Sequence, residues 1–239
     1  MLFTYYDKVI RGTEHEDGLV IIQFLKGMVG QTFSFLNYYK EIPVSYDARL
    51  ISVENEMAEF EVHEYQAKVI TLEKKALIRA HAKSPVPDDL VGDVFYVNTA
   101  RKKVILTRFH YAKIRSDLRR FVRVCLDGRR ADVDMYLDND IVPASVIDIS
   151  LGGVALRVAD PAGIEPGKEV NLILKLEALD DASPREIGAA CTVTRLLETA
   201  HDYTCILEFH PDRHSQQALA YYINQRQVEI IRELKELAS

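Results

Sequence analysis

Two clusters of side chains in the second half of this 239-residue chain have the chemistry to grip a planar, anionic ligand. The first is Arg119-Arg120-Phe121-Val122-Arg123, whose ends read RxxxR; about twenty-five residues later, Asp148-Ile149-Ser150-Leu151-Gly152-Gly153 reads DxSxxG. A guanidinium presents parallel N–H donors that match the O6 and N7 acceptors of guanine and the anionic oxygens of a phosphodiester. The other guanine edge carries N1–H and N2–H donors, which need an acceptor such as the Asp148 carboxylate. Residues two apart in a strand share a face, so Asp148 and Ser150 would point together to the ligand while Ile147, Ile149 and Leu151 point to the core. Gly152 and Gly153 would permit positive φ and a close approach of base or phosphate to the backbone.

Each piece also has a plainer meaning when read alone. RxxxR arises by chance in a chain with 17 arginines, and Arg115 with Arg119 makes an overlapping copy. Arginines at that spacing suit a solvated basic linker, and Asp148-Ile149-Ser150 ahead of Gly152-Gly153 suits a hairpin turn. Arg119 to Arg123 is the better register, because Arg123 runs directly into the apolar Val124-Cys125-Leu126.

In this order and strand context, the two motifs resemble the PilZ domain, the bacterial receptor module for cyclic di-GMP. The resemblance covers roughly residues 113 to 237. It implies that Arg119 and Arg123, helped by Arg120, grip guanine and phosphate, while Asp148, Ser150, Gly152 and Gly153 form the opposing wall. It implies a binding module rather than an enzyme, with cyclic di-GMP as ligand and no cofactor. The expected mechanism is ordering of the arginine segment around the ligand, with domain reorientation passing the signal to a protein partner such as flagellar motor or biofilm machinery.

The elements that must position these residues are mainly strands. Leu50 to Val53 and Ala58 to Val62 read as two strands around a polar turn, with Phe60 and Val62 inward and Glu59 and Glu61 outward. Gln66 to Thr71, Ala76 to Ala80, Val94 to Val97 and Val104 to Thr107 continue the series, while Leu19 to Leu36 reads as helix or irregular strand. Short strands with turns between them predict a small antiparallel barrel or sandwich over residues 1–112. Its order resembles the barrel that precedes PilZ in YcgR-like proteins. Residues 108 to 120 read as a junction. A second domain, 113–239, follows, with strands near Phe121 to Leu126, Val142 to Ile149, Val154 to Val158, Val170 to Leu176, Ala189 to Leu197 and Tyr203 to Phe209. Pro211 then suits the first turn of a helix whose Leu219, Tyr222, Ile223, Ile230, Leu234 and Leu237 line one face. That stripe predicts a barrel-covering helix or, alternatively, a homodimer contact. The fold class expected is thus mainly β: two small β-barrel domains in tandem, the second PilZ-like and closed by a C-terminal α-helix.

A composition of 48% hydrophobic and 28% charged residues is ordinary for a folded chain. Charge is not spread evenly. Residues 101 to 130 hold eleven lysines and arginines against Asp117 and Asp127, within a chain of net charge −6. Such a stretch would steer a small dianion, and nucleic acid is the competing reading, although the acidic whole argues against broad DNA binding. Salt-dependent, base-indifferent binding would mark the nucleic-acid case. A flavin-binding split barrel is a further alternative. Nucleophile elbows, phosphate loops and zinc-hydrolase motifs are absent from the sequence, and His210 with His214 lacks a third metal ligand. Cys125, Cys191 and Cys205 predict buried free thiols in a reducing compartment. The longest apolar run, Leu19 to Val29, is broken by Gln23, Lys26 and Gly27, so neither a membrane span nor a signal peptide is expected and the location predicted is cytoplasmic.

Overall fold

A computed structural model describes residues 5–80, 88–115, 119–138, 140–177 and 185–238. The chain divides into two compact units, Met1–Tyr39 with Pro43–Arg119 and Glu233–Ser239, and Lys40–Ile42 with Arg120–Arg232. Each contains a closed six-stranded barrel.

The first unit runs β1 (Tyr6–Val9), α1 (Glu14–Lys26), β2 (Thr32–Tyr39), β3 (Ile42–Glu54), β4 (Met57–Glu61), α2 (Glu64–Glu73), β5 (Lys75–Arg79), β6 (Asp89–Asn98) and β7 (Lys103–Ile114). The sheet closes in the order β7-β4-β3-β2-β5-β6 and back to β7, with β1 added outside on β7. Phe60, fully buried, meets Phe33 edge-on at 5.9 Å and Phe35 at 5.0 Å. Such pairs contribute about 0.5–1.5 kcal/mol each beyond their burial. The region read as helix or irregular strand is both in turn: α1, then β2. Thr13 starts α1 with a capping box, its hydroxyl accepting from the Glu16 N–H while the Glu16 carboxylate accepts from the Thr13 N–H.

Two expectations fail in this unit. Gln66 to Thr71 is helix α2 rather than a strand, because Gln66, Ala67, Val69 and Ile70 are all buried at helical spacing behind a His63 cap. A short apolar run does not declare its own period. The Gln66 Nε2 donates to Asn37 Oδ1 at 2.7 Å, which gives the polar residue in that face one buried partner. Residues 108–114, read as junction, complete the long strand β7 and pair with β1 and β6; residues 116–118 of that stretch lie outside the described residues.

The second unit runs β8 (Val124–Cys125), β9 (Ala131–Leu137), β10 (Asp140–Ser150), β11 (Gly153–Val158), β12 (Glu169–Leu176), β13 (Arg185–Glu198), β14 (Tyr203–Phe209) and α3 (Arg213–Ala238). Its barrel closes as β10-β11-β14-β13-β12-β9 and back to β10, with β8 added outside on β10. Val133, Met135, Ile149, Leu156, Leu172, Leu174 and Leu207 fill the interior. The strand expected at Phe121 to Leu126 shrinks to two residues, and β9 is an addition. α3 begins at Arg213, capped by Asp212, whose carboxylate accepts from the Ser215 N–H at 2.8 Å. Pro211 therefore stands outside the helix. Leu219, Tyr222, Ile223, Ile230 and Leu234 are buried as expected, but Leu237 is 47% exposed.

Among the described residues no helix is long and apolar enough to cross a membrane. Cys191 and Cys205 are buried, Cys125 is half-buried, and all three are free. Burial pushes the thiols of Cys125 and Cys191 up to about 12 and that of Cys205 up to about 11, so each is an inert neutral thiol at physiological pH.

Candidate functional site

The pairing of β8 with β10 brings the two motifs together. Its register sets Cys125 opposite Asp148 and Val124 opposite Ile149, so Arg123, the residue before β8, comes beside the carboxylate two strand positions from Ser150. The Arg123 Nη1 lies 3.8 Å from Asp148 Oδ1. Asp148 is only 3% exposed, and a buried carboxylate needs a cationic partner nearby to remain charged. Ile149 packs into the core as expected, whereas Ile147 and Leu151 are half-buried. The cause is a bulge between Val146 and Asp148, which breaks the simple alternation.

The remaining arginines are placed differently. Arg120 is exposed. Arg119 belongs to the first unit, where its guanidinium lies over the Tyr5 ring at 5.8 Å, and Tyr5 in turn stacks on Tyr38 at 4.0 Å. Arg115 is held by Asp7 through paired hydrogen bonds, the Nε contact being 2.6 Å. That guanidinium keeps the Asp7 carboxyl below its usual range.

The glycines have a different reason from the one expected. Neither Gly152 nor Gly153 adopts positive φ. A Cβ on Gly153 would lie 2.2 Å from the carbonyl oxygen of Leu207, because β11 and β14 approach closely where Gly153 pairs with Glu208. The space is needed by the protein's own backbone. A Cβ on Gly152 would meet the Phe121 ring at 2.9 Å. Ser150 Oγ serves the same turn, accepting from the Gly152 N–H and donating to the Gly153 carbonyl, both at 3.3 Å.

Residues 117–225 match the family model described as the PilZ domain. The chain carries a PilZ domain. Among solved structures, the chain is similar to the Bacillus subtilis inhibitor of motility MotI/DgrA, at 17% identity and TM-score 0.41, covering 84% of this chain and 98% of that one. It is also similar to Escherichia coli YcgR in complex with c-di-GMP, at 10% identity, TM-score 0.43 and coverage of 98% and 97%. A third is the K. pneumonia MrkH–c-di-GMP complex, at 15% identity, TM-score 0.46 and coverage of 95% and 100%. No curated protein matches the sequence. The domain match carries the assignment.

Immediately after the matched residues, sequence reasoning missed Arg226. It is 1% exposed on the inner face of α3, where its Nε donates to the Cys125 carbonyl at 3.1 Å and its Nη2 to that of Asp127 at 3.4 Å. Its Nη1 donates to Glu229 at 2.6 Å, and Glu229 also pairs with Arg129. The helix thereby grips the chain on both sides of Leu126, just after the arginine segment. Its signal in the sequence was a cation three residues from both Ile223 and Glu229, in the gap of the apolar stripe between Ile223 and Ile230.

The basic stretch also looks different when its partners are known. Lys102 pairs with Glu64, Lys103 with Glu59, Arg108 with Asp93, Arg129 with Glu177 and Glu229, and Arg130 with Asp132, besides the Arg115 and Arg123 pairs above. Most of its cations are thus matched by carboxylates distant in sequence, which removes much of the motive for a nucleic-acid reading. Among the described residues no group of three or more His, Cys, Asp or Glu is arranged to hold a metal ion.

Proposed function

We propose that this chain is a bacterial receptor for cyclic di-GMP, acting as a cytoplasmic binding module rather than an enzyme and signalling to a protein partner in motility or biofilm control. The observation that carries this reading is the β8–β10 pairing, which sets Arg123 beside the buried Asp148 within a PilZ domain. Two of the similar proteins are solved in complex with c-di-GMP, and a third is an inhibitor of motility. Arg123, with Arg119 and Arg120, takes the guanine O6/N7 edge and the phosphates; Asp148 accepts from the N1–H and N2–H edge, with Ser150, Gly152 and Gly153 as the facing wall. Occupancy reorients the two domains, which small-angle scattering of free and saturated protein will register; superimposable profiles would remove this part of the mechanism.

Calorimetry with cyclic di-GMP tests the assignment and gives the stoichiometry. Arg123→Ala is expected to weaken binding about ten- to a hundredfold, since a charge-assisted bidentate contact contributes about 1.5–3 kcal/mol. Arg115→Ala, whose guanidinium is engaged with Asp7, should bind nearly as wild type; the reverse order would place the motif in the other register.

Asp148→Asn is expected to lower affinity and blur selectivity for guanine over adenine dinucleotides, because the amide sets donors against guanine donors. Unchanged affinity and selectivity would reduce Asp148 to a structural partner of Arg123.

A further inference from the structure

Phe121 is 45% exposed, although phenylalanine normally lies inside. Its ring is seated on the backbone of Gly152, where a β-carbon would stand 2.9 Å from Cδ2 and 3.3 Å from Cε2. That seat is fixed: the Gly152 carbonyl accepts from the Phe209 N–H at 3.1 Å, and its N–H donates to Ser150 Oγ at 3.3 Å. One side of the ring thus rests on hydrogen-bonded backbone and the residue keeps nearly half of its surface open. Phe121 and Gly152 both occupy variable positions of their motifs, so the pair is a property of this chain and not of the RxxxR or DxSxxG pattern.

We infer that Phe121, seated on Gly152, is a stacking platform for one purine base of the bound dinucleotide. This rests on the reading of the site as a cyclic di-GMP receptor. Arginine and aspartate satisfy the edges and phosphates of the ligand, but a base also has two apolar faces whose removal from water favours binding. An aromatic ring between Arg120 and Arg123 supplies such a face. Gly152 is the complement of the ring, since any side chain there would take the seat and push the platform away.

The chain contains no tryptophan, so Phe121→Trp introduces a single indole at the platform. Titrating the full-length variant with cyclic di-GMP should quench its emission, with saturation at the ligand concentration that calorimetry finds for the same protein. Phe121→Tyr should bind as wild type. Phe121→Leu, which keeps apolar bulk without an aromatic face, should lose roughly tenfold or more in affinity at unchanged melting temperature, in line with base–aromatic stacking. The platform is overturned by unquenched emission at calorimetric saturation, by wild-type affinity in Phe121→Leu, or by equal loss in the Tyr and Leu variants. Tighter binding by Phe121→Leu would overturn it too, by showing that the ring competes with the ligand. A wild-type protein that gives no binding heat removes the receptor reading itself, whereas these other outcomes leave that reading standing.

Discussion

Gly153→Ala should destabilise the PilZ barrel by several kcal/mol, the largest effect of any single methyl in the motif. The added carbon would stand 2.2 Å from the Leu207 carbonyl oxygen, a contact that no rotamer relieves because both partners are backbone-fixed. Relief requires β11 and β14 to separate at the Gly153–Glu208 pair, within a barrel whose ring of six strands depends on that seam. Overpacking of this kind costs typically about 1–3 kcal/mol and more when backbone must move. Urea unfolding followed by circular dichroism measures it. Gly152→Ala is the control, since its β-carbon meets side-chain atoms, chiefly the half-exposed Phe121 ring, and no backbone. Equal midpoints for Gly153→Ala and wild type would show that the strands part freely, and the glycine would then have to be explained by the ligand.

Arg226→Met should cost on the order of 3 to 5 kcal/mol, as breaking a buried ion pair from one side usually does. With 1% of its surface exposed, Arg226 receives almost no screening from solvent, and its loss strands the Cys125 and Asp127 carbonyls as well as one oxygen of Glu229. The double change Arg226→Met with Glu229→Leu should not recover the loss, because the two carbonyls stay unpaired and Arg129 also loses its Glu229 partner. Thermal melts of the two variants decide this. A single variant as stable as wild type would mean that the carbonyls find water and that the helix does not pin the chain there.

The barrel interiors were legible where one face of a strand is apolar and the other polar. Phe60 and Val62 against Glu59 and Glu61 is such a case, and both inward residues are buried. β9 has the same alternation, Ala131, Val133, Met135 and Leu137 buried, yet it was not among the expected strands, with Asp132 and Asp134 set between the apolar positions. α2 shows the opposite failure, an apolar run whose helical period emerges only once His63 is seen as a cap and Gln66 as a buried residue bonded to Asn37. The motifs singled out Arg123 and Asp148 as candidates, but their meeting depends on the β8–β10 register, which no local pattern encodes. The need for Gly153 was readable as a close approach; that the approaching group is Leu207 was not, because strand β14 lies more than fifty residues downstream. Arg226 was invisible for a related reason: a cation in a helix reads as surface until the carbonyls it serves are known.

The shortness of β8 sets a clock for the receptor. Two residue pairs tie Val124 and Cys125 to β10, with the Leu126 N–H bonded to the Ile147 carbonyl at 3.2 Å, whereas residues 120–123 have no regular structure. Val124 and Leu126 are almost fully buried, so the start of the strand ladder falls within one residue of Arg123. Amide deuterium uptake should therefore be slower from Cys125 onward than through residues 120–123. Segments of the first kind rearrange in nanoseconds to microseconds, far faster than a dinucleotide at cellular concentration arrives by diffusion. Encounter, rather than rearrangement of the arginines, would then limit the speed at which a rise in messenger is registered.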